Sequence, residues 1–155
     1  MPKTLHSPEH AQLIALLRDQ RRRAGLTQQA VADRLLRAIG QVSWIDDESL
    51  LDAVTAVSGS GPAYVFLLAE LMEQAGIRQG LPAELARILA RATVAGSGAL
   101  LAASPEPASR LREAVTSPGG TTAAALEVLM DPAAWPQSLT RAIAAATDRS
   151  KALAG

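Results

Sequence analysis

Residues 85–101 read L-A-R-I-L-A-R-A-T-V-A-G-S-G-A-L-L, apolar on most faces of a helix and with Gly96, Ser97 and Gly98 in its middle. A helix of this kind is stable only when it is covered nearly all round. A chain of 155 residues has too little else to cover it, so the stretch calls for a partner chain. Aromatic residues make up 3% of the sequence while hydrophobic residues make up 48%. The core is therefore built from Ala, Leu, Val and Ile, side chains that suit closely packed helices. The expected fold class is all-α: a helical bundle completed by a partner chain, with an N-terminal helical hairpin.

The other segments agree with helices. Residues 1–7 read as a disordered start. Ser7 followed by Pro8 is an N-cap with proline at the first helical position, and Leu13, Leu16 and Leu17 make an apolar stripe to about Arg23. Gly25 ends that helix and Thr27 caps the next. With no glycine at Leu36 to turn the chain, the second helix is expected to run unbroken from Gln28 to Ile39. Val42 to Ile45 has strand character, but a lone strand must pair, lie flat on helices or become something else. Further helices are expected from Glu48 to Val57 (halted by Ser58-Gly59-Ser60-Gly61), from Pro62 to Gly76, from Leu81 to Ala103, from Arg110 to Val115, from Ala123 to Leu129 and from Pro136 to Leu153.

Several chemistries are excluded or weakened. Without cysteine there is no disulfide framework and no thiolate metal site. His6 and His10 are the only histidines and read as surface residues, so no metal site is expected. Asp46, Asp47 and Glu48 favour a helix N-terminus and are structural. Gly59-Ser60-Gly61 fails the dinucleotide spacing, since Tyr64 stands where the third glycine belongs, and it follows a helix instead of a strand. No uninterrupted apolar run approaches the ~20 residues that span a bilayer, and the N-terminus lacks a signal pattern; a soluble, cytoplasmic protein is expected. Charge is uneven. Up to residue 41, Lys3, Arg18, Arg21, Arg22, Arg23, Arg34 and Arg37 stand against Glu9, Asp19 and Asp33, a balance that suits phosphate contact or a solvated helix face.

Thr116-Ser117-Pro118-Gly119-Gly120-Thr121-Thr122 breaks the alanine-rich pattern. Pro118 suits the first turn of a helix, and the glycines allow close approach. A helix N-terminus with two hydroxyls can hold a small anion such as a carboxylate. Upstream stands L-D-A-V-T-A-V-S-G-S-G-P-A-Y, ending at Tyr64. With V-T-S-P-G-G-T-T it closely resembles the C-terminal domain of pyrroline-5-carboxylate reductase, over roughly residues 35–155. The resemblance implies an intertwined dimer, with higher assembly left open. It assigns contacts to the substrate carboxylate to Ser117, Gly119, Gly120, Thr121 and Thr122, and puts Ser60, Gly61 and Pro62 near the reacting centre. It implies no strong general acid; positioning the cofactor against the C=N bond would carry the rate. One departure is Asp131-Pro-Ala-Ala-Trp-Pro136, in place of the family's glycine pair, which should stiffen the turn before the last helix.

Residues 9–35, with R-R-R-A-G-L-T-Q-Q-A-V-A-D-R-L, resemble the first two helices of a phage-repressor-type helix-turn-helix domain. In that family a glycine turn and a recognition helix follow, whereas here Leu36 replaces the glycine. The expected organisation is therefore a partial helix-turn-helix segment at residues 1–38 and a reductase-like dimerisation domain at residues 39–155, a fusion. Such a chain keeps part of the substrate site. Its NAD(P)H, bound by a separate domain in the resembled enzyme, finds no βαβ unit here, so no cofactor binding and no reductase activity are expected of the chain alone. A weak, proline-like carboxylate could still bind. The alternatives are a DNA-binding regulator dimerised by a reductase-derived domain, with Arg18, Arg21, Arg22 and Arg23 on phosphates, and a partial enzyme completed by a separate nucleotide-binding chain.

Overall fold

The computed structural model describes residues 8–154; the expectations for residues 1–7, including the Ser7 cap and His6, lie outside them. Among the described residues the secondary structure is helical, without strands. The chain divides into two compact units, one up to Asp46 and one from Asp47 onward.

The first unit holds α1, Pro8–Arg23, and α2, Gln28–Leu36. Helix α1 ends in a Schellman pattern, with the Leu26 N–H on the Arg21 carbonyl at 3.1 Å and the Gly25 N–H on that of Arg22 at 3.0 Å. Thr27 then caps α2, its hydroxyl accepting from the Ala30 N–H at 3.0 Å. The unbroken helix to Ile39 is not observed. Beyond Leu36 the chain tightens, the Ala38 and Ile39 N–H groups bonding three residues back to Leu35 and Leu36. Val42 to Ile45 forms no strand. It is irregular chain tied back to α2, the Trp44 indole N–H donating to Asp33 Oδ1 at 3.0 Å while Arg37 donates to Oδ2 at 2.6 Å. Those two bonds hold the Asp33 carboxyl below its ordinary value, Arg37 contributing most and Trp44 next.

The second unit opens at Asp47, whose carboxylate caps a 3₁₀ turn, Glu48–Leu50, by accepting from the Ser49 N–H at 2.9 Å. A short helix α3, Leu51–Val54, continues into a π-helical turn, Thr55–Gly59, and then into α4, Gly61–Arg78. Ser58 to Gly61 therefore do not halt the helix. The Ser60 N–H reaches five residues back to the Thr55 carbonyl at 2.9 Å, and the path stays helical from Glu48 to Arg78. A Schellman turn closes α4: Leu81 N–H to Gly76 carbonyl at 3.1 Å and Gly80 N–H to Ile77 carbonyl at 2.9 Å, with Gly80 at φ +93. Pro82 then prevents continuation, and α5, Ala83–Ala103, folds back along α4. The two approach closely at Gly76, where an added Cβ would stand 3.3 Å from the Ala86 methyl.

Helices α6, Ala108–Ala114, α7, Thr121–Leu129, and α8, Trp135–Ala154, complete the unit. Helix α8 packs on α3 and on the π turn, fastened by the Ser150 hydroxyl donating to Asp52 Oδ1 at 2.6 Å. Before α8 the Asp131 carboxylate accepts from the Ala133 N–H at 2.8 Å. The buried core of the described residues is Ala56, Ala86 and Ala90, all alanine. On α5, Leu85, Ile88, Leu89, Leu100 and Leu101 stay exposed, Ile88 by 51%, and an added Cβ at Gly96 or Gly98 would meet open space. By length and composition both Glu48–Arg78 and Ala83–Ala103 could cross a bilayer. Counting uninterrupted apolar residues missed this, because isolated polar residues break a run without making a helix polar.

Candidate carboxylate-binding loop

The break between α6 and α7 has a defined geometry. The Gly120 N–H returns to the Ser117 carbonyl at 3.0 Å, with Pro118 second and Gly119 third at φ +69. This is a type II turn, which favours proline second and needs a residue tolerant of positive φ third. Pro118 therefore shapes the turn and does not open the helix; α7 starts at Thr121 with Gly120 as its cap residue. No side chain caps α7. The N–H groups of its first turn, those of Thr121, Thr122 and Ala123, precede the first intrahelical bond from Ala124 to Gly120 and carry the positive end of the helix dipole. On the α6 side the loop is anchored by the Thr116 hydroxyl, which donates to the Arg112 carbonyl at 2.7 Å. Ser117 and Thr121 are exposed and Thr122 is half-buried. Chemically, donors arranged in this way at a helix N-terminus are able to receive a small anion.

Ser60, Gly61 and Pro62 lie elsewhere in the unit, at the junction of the π turn with α4. Helices α6 and α7 share no extended packing with that junction within one chain. Gly59 and Gly61 stand in continuous helix, with no strand before them, so these residues do not fit the phosphates of a dinucleotide as a strand-turn-helix would. Tyr64 is the residue that the reading of the sequence left aside. Its hydroxyl donates to the carbonyl of buried Ala56 at 3.1 Å; the signal for it was its place as the last residue of the L-D-A-V-T-A-V-S-G-S-G-P-A-Y motif and as the single tyrosine of the chain.

The arginines of α1 are only partly available. Arg23 pairs with Asp19 at 2.8 Å, and Arg21 donates to the Leu26 carbonyl at 2.6 Å. Among the described residues no group of acidic or histidine side chains could hold a metal ion.

A family model described as pyrroline-5-carboxylate reductase dimerisation matches residues 48–153. The chain belongs to this family. Similar curated proteins are the pyrroline-5-carboxylate reductases of Pseudomonas aeruginosa, 49% identical over 96 residues, and of Haemophilus influenzae, 43% identical over 121. The first alignment covers 62% of this chain and 35% of the relative; the second covers 77% and 44%. Among solved structures, the pyrroline-5-carboxylate reductase of Coxiella burnetii superposes with a TM-score of 0.76 at 37% identity, over 81% of this chain and 46% of that one. That of Plasmodium falciparum, solved with NADP bound, gives 0.70 at 33%, over 82% and 49%. The chain spans less than half the length of these pyrroline-5-carboxylate reductases.

Proposed function

We propose that this chain is the dimerising, substrate-side part of a pyrroline-5-carboxylate reductase, with the turn at residues 117–120 and the first turn of α7 receiving the substrate carboxylate. The observation that carries the reading is the uncapped N-terminus of α7 behind a type II turn. It offers backbone donors and the Thr121 and Thr122 hydroxyls to one anion. Two copies pair as an intertwined dimer that covers α5, and the open space beside Gly96 and Gly98 supports a close helix approach there. Glycine in a helix interior costs about 1 kcal/mol against alanine, a cost that close packing offsets. On this reading the loop of one copy faces the Ser60, Gly61 and Pro62 junction of the other. The same cover makes the two apolar helical runs part of a soluble dimer.

On this reading the chain positions the imine substrate and takes its charge, while NAD(P)H supplies hydride from a nucleotide-binding domain. Helices α1 and α2, within the segment that ends at residue 38, act as a helical hairpin of helix-turn-helix type without a recognition helix. Contacts of Arg18, Arg21, Arg22 and Arg23 with nucleic acid would be weak and indifferent to sequence. Calorimetry with L-proline, sedimentation and NADPH fluorescence test the proposal together. A dimer that binds proline weakly and NADPH not at all is the expected result. A stable helical monomer, or no carboxylate binding, overturns the reading, and saturable micromolar NADPH binding would show a nucleotide site in this chain.

A further inference from the structure

We propose that Tyr64 is a positioning residue that holds the π turn and thereby orients Ser60 and Gly61; its bearing on substrate rests on the substrate-side reading above. Backbone donors run short at this point of the helix. The Ser60 N–H is committed to Thr55 at 2.9 Å, and Pro62 has no N–H to give. A helix would normally kink or open here. Tyr64 reaches back across Pro62 and donates its hydroxyl to the Ala56 carbonyl at 3.1 Å. Ala56 is only 1% exposed, so water is a poor substitute for that donor. The Ser58 hydroxyl bonds the Val54 carbonyl at 2.8 Å one turn earlier, and α8 packs against the turn from outside. The side chain of Tyr64 is thus the brace on the α4 side of a rare backbone form, of the kind found in single turns at functional sites.

The test is hydrogen exchange on the full chain and on Tyr64→Phe, which removes the oxygen alone. The expected result is about tenfold faster exchange at Ser60, Gly61 and Ala63, the effect of losing one hydrogen bond, with α5 unchanged and the same sedimentation mass. Replacing Tyr64 by 4-aminophenylalanine, which keeps a donor at the para position, should restore protection. Tyr64 is the only tyrosine, so the phenol Raman doublet reports directly whether its hydroxyl donates. Unchanged exchange at Ser60 and Gly61, or equal acceleration throughout α4 and α5, overturns the proposal. L-proline separates the two readings: if the unmodified chain binds none, the substrate-side reading fails, and local exchange still decides the role of Tyr64. If it binds, Tyr64→Phe should weaken binding several-fold at constant mass.

Discussion

Ser150 and Asp52 stand 98 residues apart in sequence and share a hydrogen bond of 2.6 Å, joining the last helix to the beginning of the second unit. The bond is half-buried, and its acceptor is a carboxylate. Bonds of this type contribute about 1.5–3 kcal/mol, so Ser150→Ala should destabilise by about 1–2 kcal/mol after allowance for partial exposure. A lowering of Tm by about 2–8 °C is expected for a chain this size. Thermal melts of Ser150→Ala and Asp52→Asn at matched concentration measure it; no shift in either would mean that α8 is held by packing alone.

The Trp44 anchor should depend on pH. Asp33 has its carboxyl held low in the folded chain, by Arg37 first and Trp44 second. Its contribution is therefore complete above the ordinary aspartate value of 3.8 and lost as pH falls through the lower folded value. In a Trp135→Phe background the emission of Trp44 should stay constant down to about pH 4 and change below it. Asp33→Asn should remove that transition. A transition centred above pH 5 would point to another group.

Loop geometry makes Gly119 and Gly120 unequal. Gly119→Ala forces an L side chain to φ +69, a strain of about 1–2 kcal/mol, and proline binding should fall about 5–30-fold. An added Cβ at Gly120 would stand 2.5 Å from Ser117 Oγ and 3.2 Å from the Ser117 carbonyl oxygen. Gly120→Ala should therefore displace Ser117 and abolish measurable binding. Calorimetry that found both variants equal to the parent would remove the loop from the site.

Leu89 is 47% exposed in one copy, and on the proposed pairing it lies on the covered face of α5. Leu89→Asp places an unpaired charge there in each subunit, at a cost of several kcal/mol each. Total stabilities are only about 5–15 kcal/mol, so the variant should lose helicity along with its dimer. Circular dichroism beside sedimentation distinguishes this from simple dissociation into folded monomers.

DNA offers a test of the hairpin. Phosphate contacts alone give affinities of roughly 10⁻⁴–10⁻⁶ M and weaken steeply with salt. Mobility shifts should show no duplex retained against ~1000-fold random competitor, a margin that specific binders reach. Arg18→Ala and Arg22→Ala should weaken binding more than Arg23→Ala, whose guanidinium already pairs with Asp19.

Much of the fold was legible because its signals are local. Pro8, Thr27, Pro82 and the alternation of apolar residues mark helix boundaries, and the observed α1, α5, α7 and α8 lie within a few residues of those expected. What misled was locally correct reasoning met by a non-local or unusual bond. Gly59 and Gly61 look like breakers, yet a five-residue hydrogen bond carries the helix through them. Nothing in residues 28–39 announces the end at Leu36, and the Trp44 bond to Asp33 spans eleven positions. In the loop at residues 116–122 the residue types marked the break between two helices but misplaced Pro118, which sits second in a turn and not at the first helical position. Whether two distant segments meet in one site is a property of packing, and spacing along the chain does not encode it.

The three alanines at the centre of this unit also set how the protein can change over generations. In most cores the damaging substitutions shrink a side chain and leave a cavity. Ala56, Ala86 and Ala90 have almost nothing to lose in that direction, but any enlargement overpacks neighbours such as Gly76, at about 1–3 kcal/mol. Sequence drift at these sites is therefore closed toward valine or leucine, and glycine is the one substitution that adds no volume. The lineage is held by a ceiling on side-chain size where most folds are held by a floor.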